Sequence, residues 1–253
     1  MILAIRLFYD NFAQEDVAGM FSLWHLAFIL IFIGLLAVAL FCCRNATSAQ
    51  VKKIIFYSAI AVTVAEIVKI TLRAAKGGRP DTWLPLYYCS LFLYAVWLSM
   101  SKKDYISRMG YSYITMGGIL AACLFTLYPS TSLALYPALH PASLHSLLYH
   151  WIMAFVGILI LWKKQFVPKA SDSLLYFILV ISACIAGYFI NEWLGSNCMF
   201  LHDAFKLPLL DDLLHYSHAA YIAVAALAQS IGMYWLNFGL YVLFNQINEK
   251  SMK

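Results

Sequence analysis

The chain has 253 residues, of which 63% are hydrophobic and only 11% are charged, and its mean hydropathy is +0.77. Soluble proteins carry about 25% charged residues, so a chain of this length could not bury so much apolar surface in water. The composition disfavours a soluble enzyme, a nucleic-acid binder, a disordered chain and a secreted disulfide scaffold. It predicts a polytopic membrane protein. In such a protein a formal net charge of +5 more often reflects the excess of Lys and Arg in cytoplasmic loops than an anionic partner.

The apolar runs predict an all-α, polytopic transmembrane seven-helix bundle, because each is long enough, at roughly 20 residues, to cross the hydrocarbon core. The predicted spans are about 22–43, 53–74, 84–100, 110–128, 143–162, 173–194 and 214–244. The third run is short and the last is long. Residues 1–18 are expected to form a short interfacial helix. No internal repeat is visible, so residues 1–253 are expected to be a single integral membrane domain.

Loop charges predict the orientation of these spans, because Lys and Arg accumulate on the cytoplasmic side. Eleven of the 17 cationic residues fall on one face of the predicted bundle. They are Arg44, Lys52, Lys53, Lys102, Lys103, Arg108, Lys163, Lys164, Lys169, Lys250 and Lys253. This face is expected to be cytoplasmic, with the N-terminus outside and the C-terminus inside. Arg73, Lys76 and Arg79 are an exception on the outer side.

Polar side chains in the predicted spans and just beyond their ends concentrate on the outer side, and residues of this kind inside a membrane mark function by default. They are His25, Glu66, Lys69, Cys89, His145, His150, Asn191, Asn197, Asp211, His215 and His218. This placement predicts one polar cavity that opens outward. Structural roles for these residues stay open. Glu66 and Lys69 share a helix face and could neutralise each other as an ion pair. A lone histidine is more often a hydrogen-bonded structural group than a catalyst.

Cysteine placement points to one candidate nucleophile among six cysteines that include no CxxC pair. Cys89 follows Pro85 at the expected start of the third span, and the cations Arg73, Lys76 and Arg79 precede it. A thiol near a helix N-terminus and cations can be an activated nucleophile. The alternative is a buried cysteine that only packs, as most free cysteines do.

A second polar cluster, Asp211, His215 and His218, opens the predicted seventh span. The i, i+4, i+7 spacing predicts one helix face. A carboxylate with two histidines is compatible with a metal site, with a histidine base oriented by a carboxylate, or with an ordinary hydrogen-bonded helix end.

Four segments, in this order along the chain, resemble the YwaF-like family of bacterial integral membrane proteins. They are Trp24-His25, Leu84-Pro85-Leu86 with Cys89-Ser90, the stretch from Pro141 through His150, and Asn191 through Leu201 with Pro208 following. The resemblance covers almost the whole chain and implies a multi-pass protein of the bacterial cell membrane. The family is distantly similar to eukaryotic multi-span phospholipid acyltransferases with a cysteine nucleophile, and to fatty-acid-ester hydrolases.

The resemblance implies a lipid acyltransferase or ester hydrolase that uses no cofactor and acts on a membrane phospholipid or other acyl lipid, with no nucleic-acid partner. Cys89 would be the nucleophile and His150, or next His145, its base. Asn191, Asn197 or Lys69 would supply oxyanion donors. Remaining cavity residues would support the site: His25, Glu66, Asp211, His215 and His218.

Two other functions remain open from the residues alone. One is a zinc-dependent intramembrane hydrolase of ceramidase type, with Asp211, His215 and His218 as metal ligands. The other is a transporter or ligand-binding protein, in which Glu66, Lys69 and the histidines bind a solute or relay protons.

Overall fold

The computed structural model describes residues 17–75, 84–204 and 208–251, and these ranges form eight helices and no strand. In chain order they are α1 (Leu23–Cys42), α2 (Ser48–Ala75), α3 (Leu91–Leu98), α4 (Asp104–Leu127), α5 (Pro141–Trp162), α6 (Asp172–Leu194), α7 (Pro208–Tyr216) and α8, which begins at His218 and ends at Ser251. The predicted all-α class is confirmed for this part of the chain. Most of the expected interfacial helix over 1–18 lies outside the described residues.

Six of these helices, α1, α2, α4, α5, α6 and α8, are long and apolar enough to cross a membrane. The third predicted span is wrong as a single membrane helix. Leu84–Leu86 has no helical structure, Tyr87–Ser90 forms a turn, and only α3 follows. Eight helical residues rise about 12 Å, far less than a hydrocarbon core of about 30 Å. The seven-span count is therefore not reached in the described ranges, and the orientation of the termini stays a prediction.

Apolar side chains cover the outside of the long helices. On α1, Leu26, Leu30 and Ile33 are each more than half exposed, and only His25, Phe28 and Phe32 are buried. A helix that is hydrophobic all round belongs in a large core or in a membrane. With so little of α1 buried in the protein, its exposed apolar surface is suited to lipid.

Two compact units make up the chain, and the single-domain expectation stays a prediction. The first comprises residues 1–83 and 118–165, and the second residues 84–117 and 166–253. The boundary falls inside a π-helical turn of α4, Tyr113–Gly118, so this helix contributes to both.

In the first unit, α5 packs against α1, α2 and the C-terminal part of α4. Its core contains Phe28, Phe125, Leu133, Ala138 and Leu147. Helix α5 starts with proline, and the preceding His140 caps it by accepting the N–H of Ala142 at 3.2 Å. Proline suits the first helical turn because its missing N–H has no partner there.

In the second unit, α3 packs on the N-terminal part of α4, which packs on α6. A Cβ at Gly110 of α4 would lie 2.4 Å from the carbonyl oxygen of Ala95 and from the nitrogen of Ser99, so this crossing requires glycine. The π-helical turn of α4 is bound by α8, since the Asn237 amide donates to the carbonyls of Thr115 and Met116 at 2.9 and 3.0 Å.

Candidate functional site

Cys89 lies in the turn that leads into α3, and its free thiol is half-buried. The turn is held by backbone bonds: the carbonyl of Tyr88 accepts from Leu91 at 3.2 Å and that of Cys89 accepts from Phe92 at 3.1 Å. The hydroxyl of Tyr113 also donates to the Tyr88 carbonyl. Cys89 therefore lies in the turn just before α3 and not, as the sequence predicted, inside the first turn of a helix.

The structure does not test the cations expected beside Cys89. Arg73 belongs to the first unit, and Lys76 and Arg79 lie outside the described residues. Thiol activation by these cations stays a prediction.

A loop after α6 is organised by Asn191, whose side chain is buried. Its oxygen accepts the N–H of Cys198 at 2.7 Å and the hydroxyl of Ser196 at 2.8 Å, and its nitrogen donates to the Cys198 carbonyl at 3.0 Å. Gly195 ends the helix with a left-handed φ of 61°, which glycine adopts readily.

The same loop contains two successive non-glycine residues in the left-handed region, Met199 (φ 52°) and Phe200 (φ 55°). Such residues cost of order 1–3 kcal/mol each and persist only where surrounding bonds hold them. Gln229 of α8 donates to the Met199 carbonyl at 2.9 Å, and the Tyr221 hydroxyl donates to the Phe200 carbonyl at 2.7 Å. These bonds hold the strained turn in place.

This strained turn contacts the Cys89 segment directly. Met199 donates its N–H to the carbonyl of Leu86 at 3.1 Å, and the rings of Tyr87 and Phe200 lie 5.6 Å apart. Two of the segments that carried the family resemblance thus meet in the second unit. The turn positions the residues that immediately precede Cys89.

Both asparagines proposed as oxyanion donors are engaged with the loop backbone. Asn197 donates to the carbonyl of Asp203 at 3.2 Å and accepts the N–H groups of His202 and Asp203 at 2.8 and 3.0 Å. Asn191 binds Ser196 and Cys198 as described. These hydrogen bonds hold the loop, and a role of either asparagine as an oxyanion donor stays a prediction.

His150 of α5 is buried in the first unit and stacks on Phe125, with ring centroids 3.7 Å apart. Its Nδ1 lies 2.7 Å from the carbonyl oxygen of Ser146. A carbonyl only accepts, so Nδ1 carries the proton and Nε2 carries the lone pair. Among the described residues Nε2 has no hydrogen-bond partner, which is unusual for a buried polar atom.

His25, by contrast, has both ring nitrogens engaged. Its Nε2 lies 2.8 Å from the carbonyl oxygen of Thr126, and its Nδ1 accepts the N–H of Phe21 at 3.0 Å. His25 is therefore a hydrogen-bonded structural histidine, which is one of the roles that the sequence left open. It links α1 to the end of α4.

Glu66, Lys69 and His145 come together between α2 and α5. Lys69 forms an ion pair with the buried carboxylate of Glu66, and Nε2 of His145 lies 3.8 Å from the other carboxylate oxygen. The predicted ion pair is present. It borders a small cavity that Arg73 also lines.

The predicted Asp211, His215 and His218 stripe is wrong, because the helix is interrupted. Helix α7 ends at Tyr216, Ser217 adopts an extended conformation, and α8 begins at His218. The exposed His215 bonds back to the Asp211 carbonyl at 2.7 Å, while His218 contacts the ring of His202. No group of three or more metal-ligating side chains occurs in the described ranges.

Of the predicted residues, Cys89, Asn191 and Asn197 belong to the second unit, and His25, Glu66, Lys69, His145 and His150 belong to the first. Sequence reasoning missed Gln229 and Tyr221. Gln229 is an amide within an apolar run, which is the signal that could have identified it.

Six long apolar helices in the described ranges define a polytopic α-helical membrane protein. The chain belongs to the TMEM164 family, whose model matches residues 20–236. Comparisons with curated proteins and with solved structures gave no significant match.

Proposed function

We propose that the chain is a membrane-embedded lipid acyl-chain enzyme, an acyltransferase or ester hydrolase of the bacterial cell membrane. Cys89 is its nucleophile and His150 its base, with His145 as the alternative base. The assignment of Cys89 rests on the resemblance to YwaF-like proteins and the phospholipid acyltransferases related to them.

The observation that carries the proposal is that Nε2 of His150 has no hydrogen-bond partner in the part of the chain that the structure describes. The Ser146 carbonyl fixes the tautomer that leaves this nitrogen a proton acceptor. Stacking on Phe125 fixes the plane of the ring. A general base needs both an available lone pair and a defined direction, and a purely structural histidine such as His25 leaves neither nitrogen open.

The setting of Cys89 supports the nucleophile assignment. Its thiol is half-buried in a turn that is held on one side by Tyr113 and on the other by the strained Met199–Phe200 loop through Leu86. Strained backbone is often retained near functional sites, where it fixes a reacting group. A cysteine that only fills space would not need this support.

The proposed reaction is thioester acyl transfer. The Cys89 thiol gives its proton to the histidine base, and Sγ bonds to the ester carbonyl carbon of the lipid. The tetrahedral intermediate breaks its bond to the alkoxide, which takes the proton from the imidazolium and leaves as an alcohol. Water or a second alcohol then attacks the thioester, gives its proton to the same base, and releases the acyl product as Sγ departs and is reprotonated.

Intact mass spectrometry tests this directly. The purified protein is incubated with diheptadecanoyl phosphatidylglycerol, whose odd-numbered acyl chain is identifiable by mass. We expect one acyl adduct that is absent from Cys89→Ser and formed at least about a hundredfold more slowly by His150→Gln, the usual contribution of a general base. Cys123→Ser and His202→Gln, which change an exposed thiol and an exposed histidine, should keep the wild-type rate.

An adduct that persists in Cys89→Ser would overturn the proposal. No adduct, with one equivalent of bound zinc, would support the metal-dependent hydrolase instead. No adduct and no metal would support a transporter or binding protein.

A further inference from the structure

We infer that one end of the first unit binds the headgroup of an anionic phospholipid. Three candidate membrane spans meet there: α1 ends at Cys42, α2 begins at Ser48 and α5 ends at Trp162. Five cationic residues lie at these helix ends and form a surface that we call the basic surface. They are Arg44, Lys52, Lys53, Lys163 and Lys164.

Hydrogen bonds join the three helix ends. The ammonium group of Lys163, which follows α5, donates to the backbone carbonyl of Arg44 in the connection between α1 and α2. The hydroxyl of Ser48, the first residue of α2, donates to the side-chain oxygen of Gln165 at 2.9 Å. Lys52 follows Ser48 by one helical turn and therefore lies on the same face of α2. Cations from all three helix ends are thus gathered on one surface.

The basic surface has no carboxylate to neutralise it in the part of the chain that the structure describes. Residues 43–65 and 151–165, which contain the five cations, include no Asp or Glu. None of the five forms an ion pair with a described side chain. The acceptors of Arg44 and Lys163 are backbone carbonyls, which carry no net charge. All five positive charges therefore remain available to attract an anion.

The start of α2 adds to this positive potential. Its first turn contains no acidic residue, and Lys52 and Lys53 follow in the second turn. The N-terminus of a helix has partial positive charge, so cations near it are unfavourable in the absence of an anion. Orientation of the spans requires cations on one side of the membrane, but it does not require them next to the positive end of a helix. A bound anion accounts for this placement.

Aromatic and apolar neighbours indicate that the anion belongs to a lipid. The ammonium group of Lys163 lies 4.6 Å from the ring centre of Trp162, and the guanidinium of Arg44 lies 4.0 Å from that of Phe41. Both rings are exposed at the ends of candidate spans, where aromatic residues mark the headgroup layer. Exposed apolar side chains such as Val38 continue along the same helices. A phospholipid can contact the cations with its phosphate and these side chains with its acyl chains.

The basic surface is separate from the residues of the proposed reaction. On α5, Lys163 follows His150 by 13 residues, which is about 20 Å along the helix axis. The ester bonds of a phospholipid are only a few bonds from its phosphate, so a lipid held by the basic surface is not the one that would react at His150. Binding here needs neither Cys89 nor His150, and the inference can fail or hold whatever the acyl-adduct experiment shows.

Native mass spectrometry of the full-length protein in detergent tests the inference. The probes are dioleoyl phosphatidylglycerol and dioleoyl phosphatidylcholine, which have the same acyl chains but differ in net headgroup charge. We expect tighter binding of phosphatidylglycerol. Lys52→Gln/Lys53→Gln should weaken that binding by about tenfold or more, since each cation near an anionic headgroup contributes a factor of about five. The binding of phosphatidylcholine should not change.

A matched control removes the same charge from another part of the chain. Lys102 and Lys103 are exposed, belong to the second unit and fall on the same predicted side of the membrane. Lys102→Gln/Lys103→Gln should keep the wild-type affinity for phosphatidylglycerol. Equal losses in the two double variants would overturn the inference, because net charge alone would then explain the binding. Unchanged affinity in Lys52→Gln/Lys53→Gln would also overturn it, as would equal binding of phosphatidylcholine to the wild-type protein.

A second double variant, Arg44→Gln/Lys164→Asn, removes one cation from each of the other two helix ends. Lys164 has a left-handed φ of 50°, which asparagine adopts more readily than most residues. Both positions are exposed, so the unfolding temperature without lipid should stay at the wild-type level. Phosphatidylglycerol binding should weaken by about tenfold or more. Binding at the wild-type level in this variant would contradict a surface shared by the three helix ends.

Discussion

Met199 donates its backbone N–H to the carbonyl oxygen of Leu86, 3.1 Å away, and so joins the loop after α6 to the segment before Cys89. Met199 is fully buried and has a left-handed φ of 52°. The strain of this conformation is offset by hydrogen bonds from Asn191, Gln229 and Tyr221 to the same loop. The position of the candidate nucleophile therefore depends on residues far from it in sequence.

Asn191→Ala should loosen this loop. The substitution removes three hydrogen bonds and leaves the buried N–H of Cys198 without its acceptor, so we expect a loss of about 2–4 kcal/mol in the free energy of unfolding. Thermal unfolding followed by tryptophan fluorescence measures this. Site-resolved alkylation by mass spectrometry should also show faster modification of Cys89, because the segment before it loses its support.

Glu192→Ala is the matched control, since Glu192 is the next residue on α6 and is exposed. Its unfolding temperature and Cys89 alkylation should stay at the wild-type level, because surface substitutions usually change stability by about 0.5 kcal/mol or less. Unchanged stability in Asn191→Ala would contradict the structural role of that amide.

The sequence predicted the long helices well because their signal is local. Apolar runs of sufficient length mark α1, α2, α4, α5, α6 and α8, and each overlaps a predicted span. The apolar run over 84–100 was predicted as a membrane span, but Pro85 and the turn at Tyr87–Ser90 restrict its helix to α3. Apolar composition alone does not distinguish a span from a short helix buried in the protein.

The candidate site was predicted only in its parts. The polar residues near the ends of predicted spans indicated His150, His145, Glu66 and Lys69 as candidates, and all four belong to the first unit. The roles of their individual atoms could not be predicted, because they depend on partners such as the Thr126 carbonyl for His25 and the Ser146 carbonyl for His150. The helix break at Ser217 was also missed, since its extended backbone follows from capping by its own hydroxyl, which accepts the N–H of Ala220.

Gly110→Ala should destabilise the second unit by about 1–3 kcal/mol or more, the usual cost of overpacking. The added Cβ would lie 2.4 Å from backbone atoms of Ala95 and Ser99, which cannot move aside as a flexible side chain can. The matched control is Gly34→Ala on α1, where nothing lies within 4 Å of the new methyl. There alanine should raise the free energy of unfolding by about 0.4–1 kcal/mol, because it reduces the conformational entropy of the unfolded chain. Equal unfolding temperatures for the two variants would contradict the close crossing of α3 and α4.

His25→Ala should lower stability by about 1–3 kcal/mol, because the carbonyl of Thr126 and the N–H of Phe21 both lose their partner. Its effect on acyl-adduct formation should follow the folded fraction, in contrast to His150→Gln, which should slow the reaction in fully folded protein. Trp24→Phe changes the neighbouring exposed side chain and should leave stability unchanged. A His25→Ala protein that is fully stable yet inactive would instead make His25 a catalytic residue.

His215 should titrate above the ordinary histidine value of about 6.5. It lies in α7, outside the candidate spans. Its Nδ1–H donates a hydrogen bond to the Asp211 carbonyl, which raises the pKa of His215, and the nearby Asp211 carboxylate raises that pKa further. Because the folded-state pKa is raised, the stabilisation from this contact is complete below the unfolded pKa and is lost as the pH rises through the folded pKa. Histidine-selective NMR titration measures the pKa, and Asp211→Asn should lower it only in part, since the backbone carbonyl remains. A value at or below that of a model peptide would contradict the hydrogen bond.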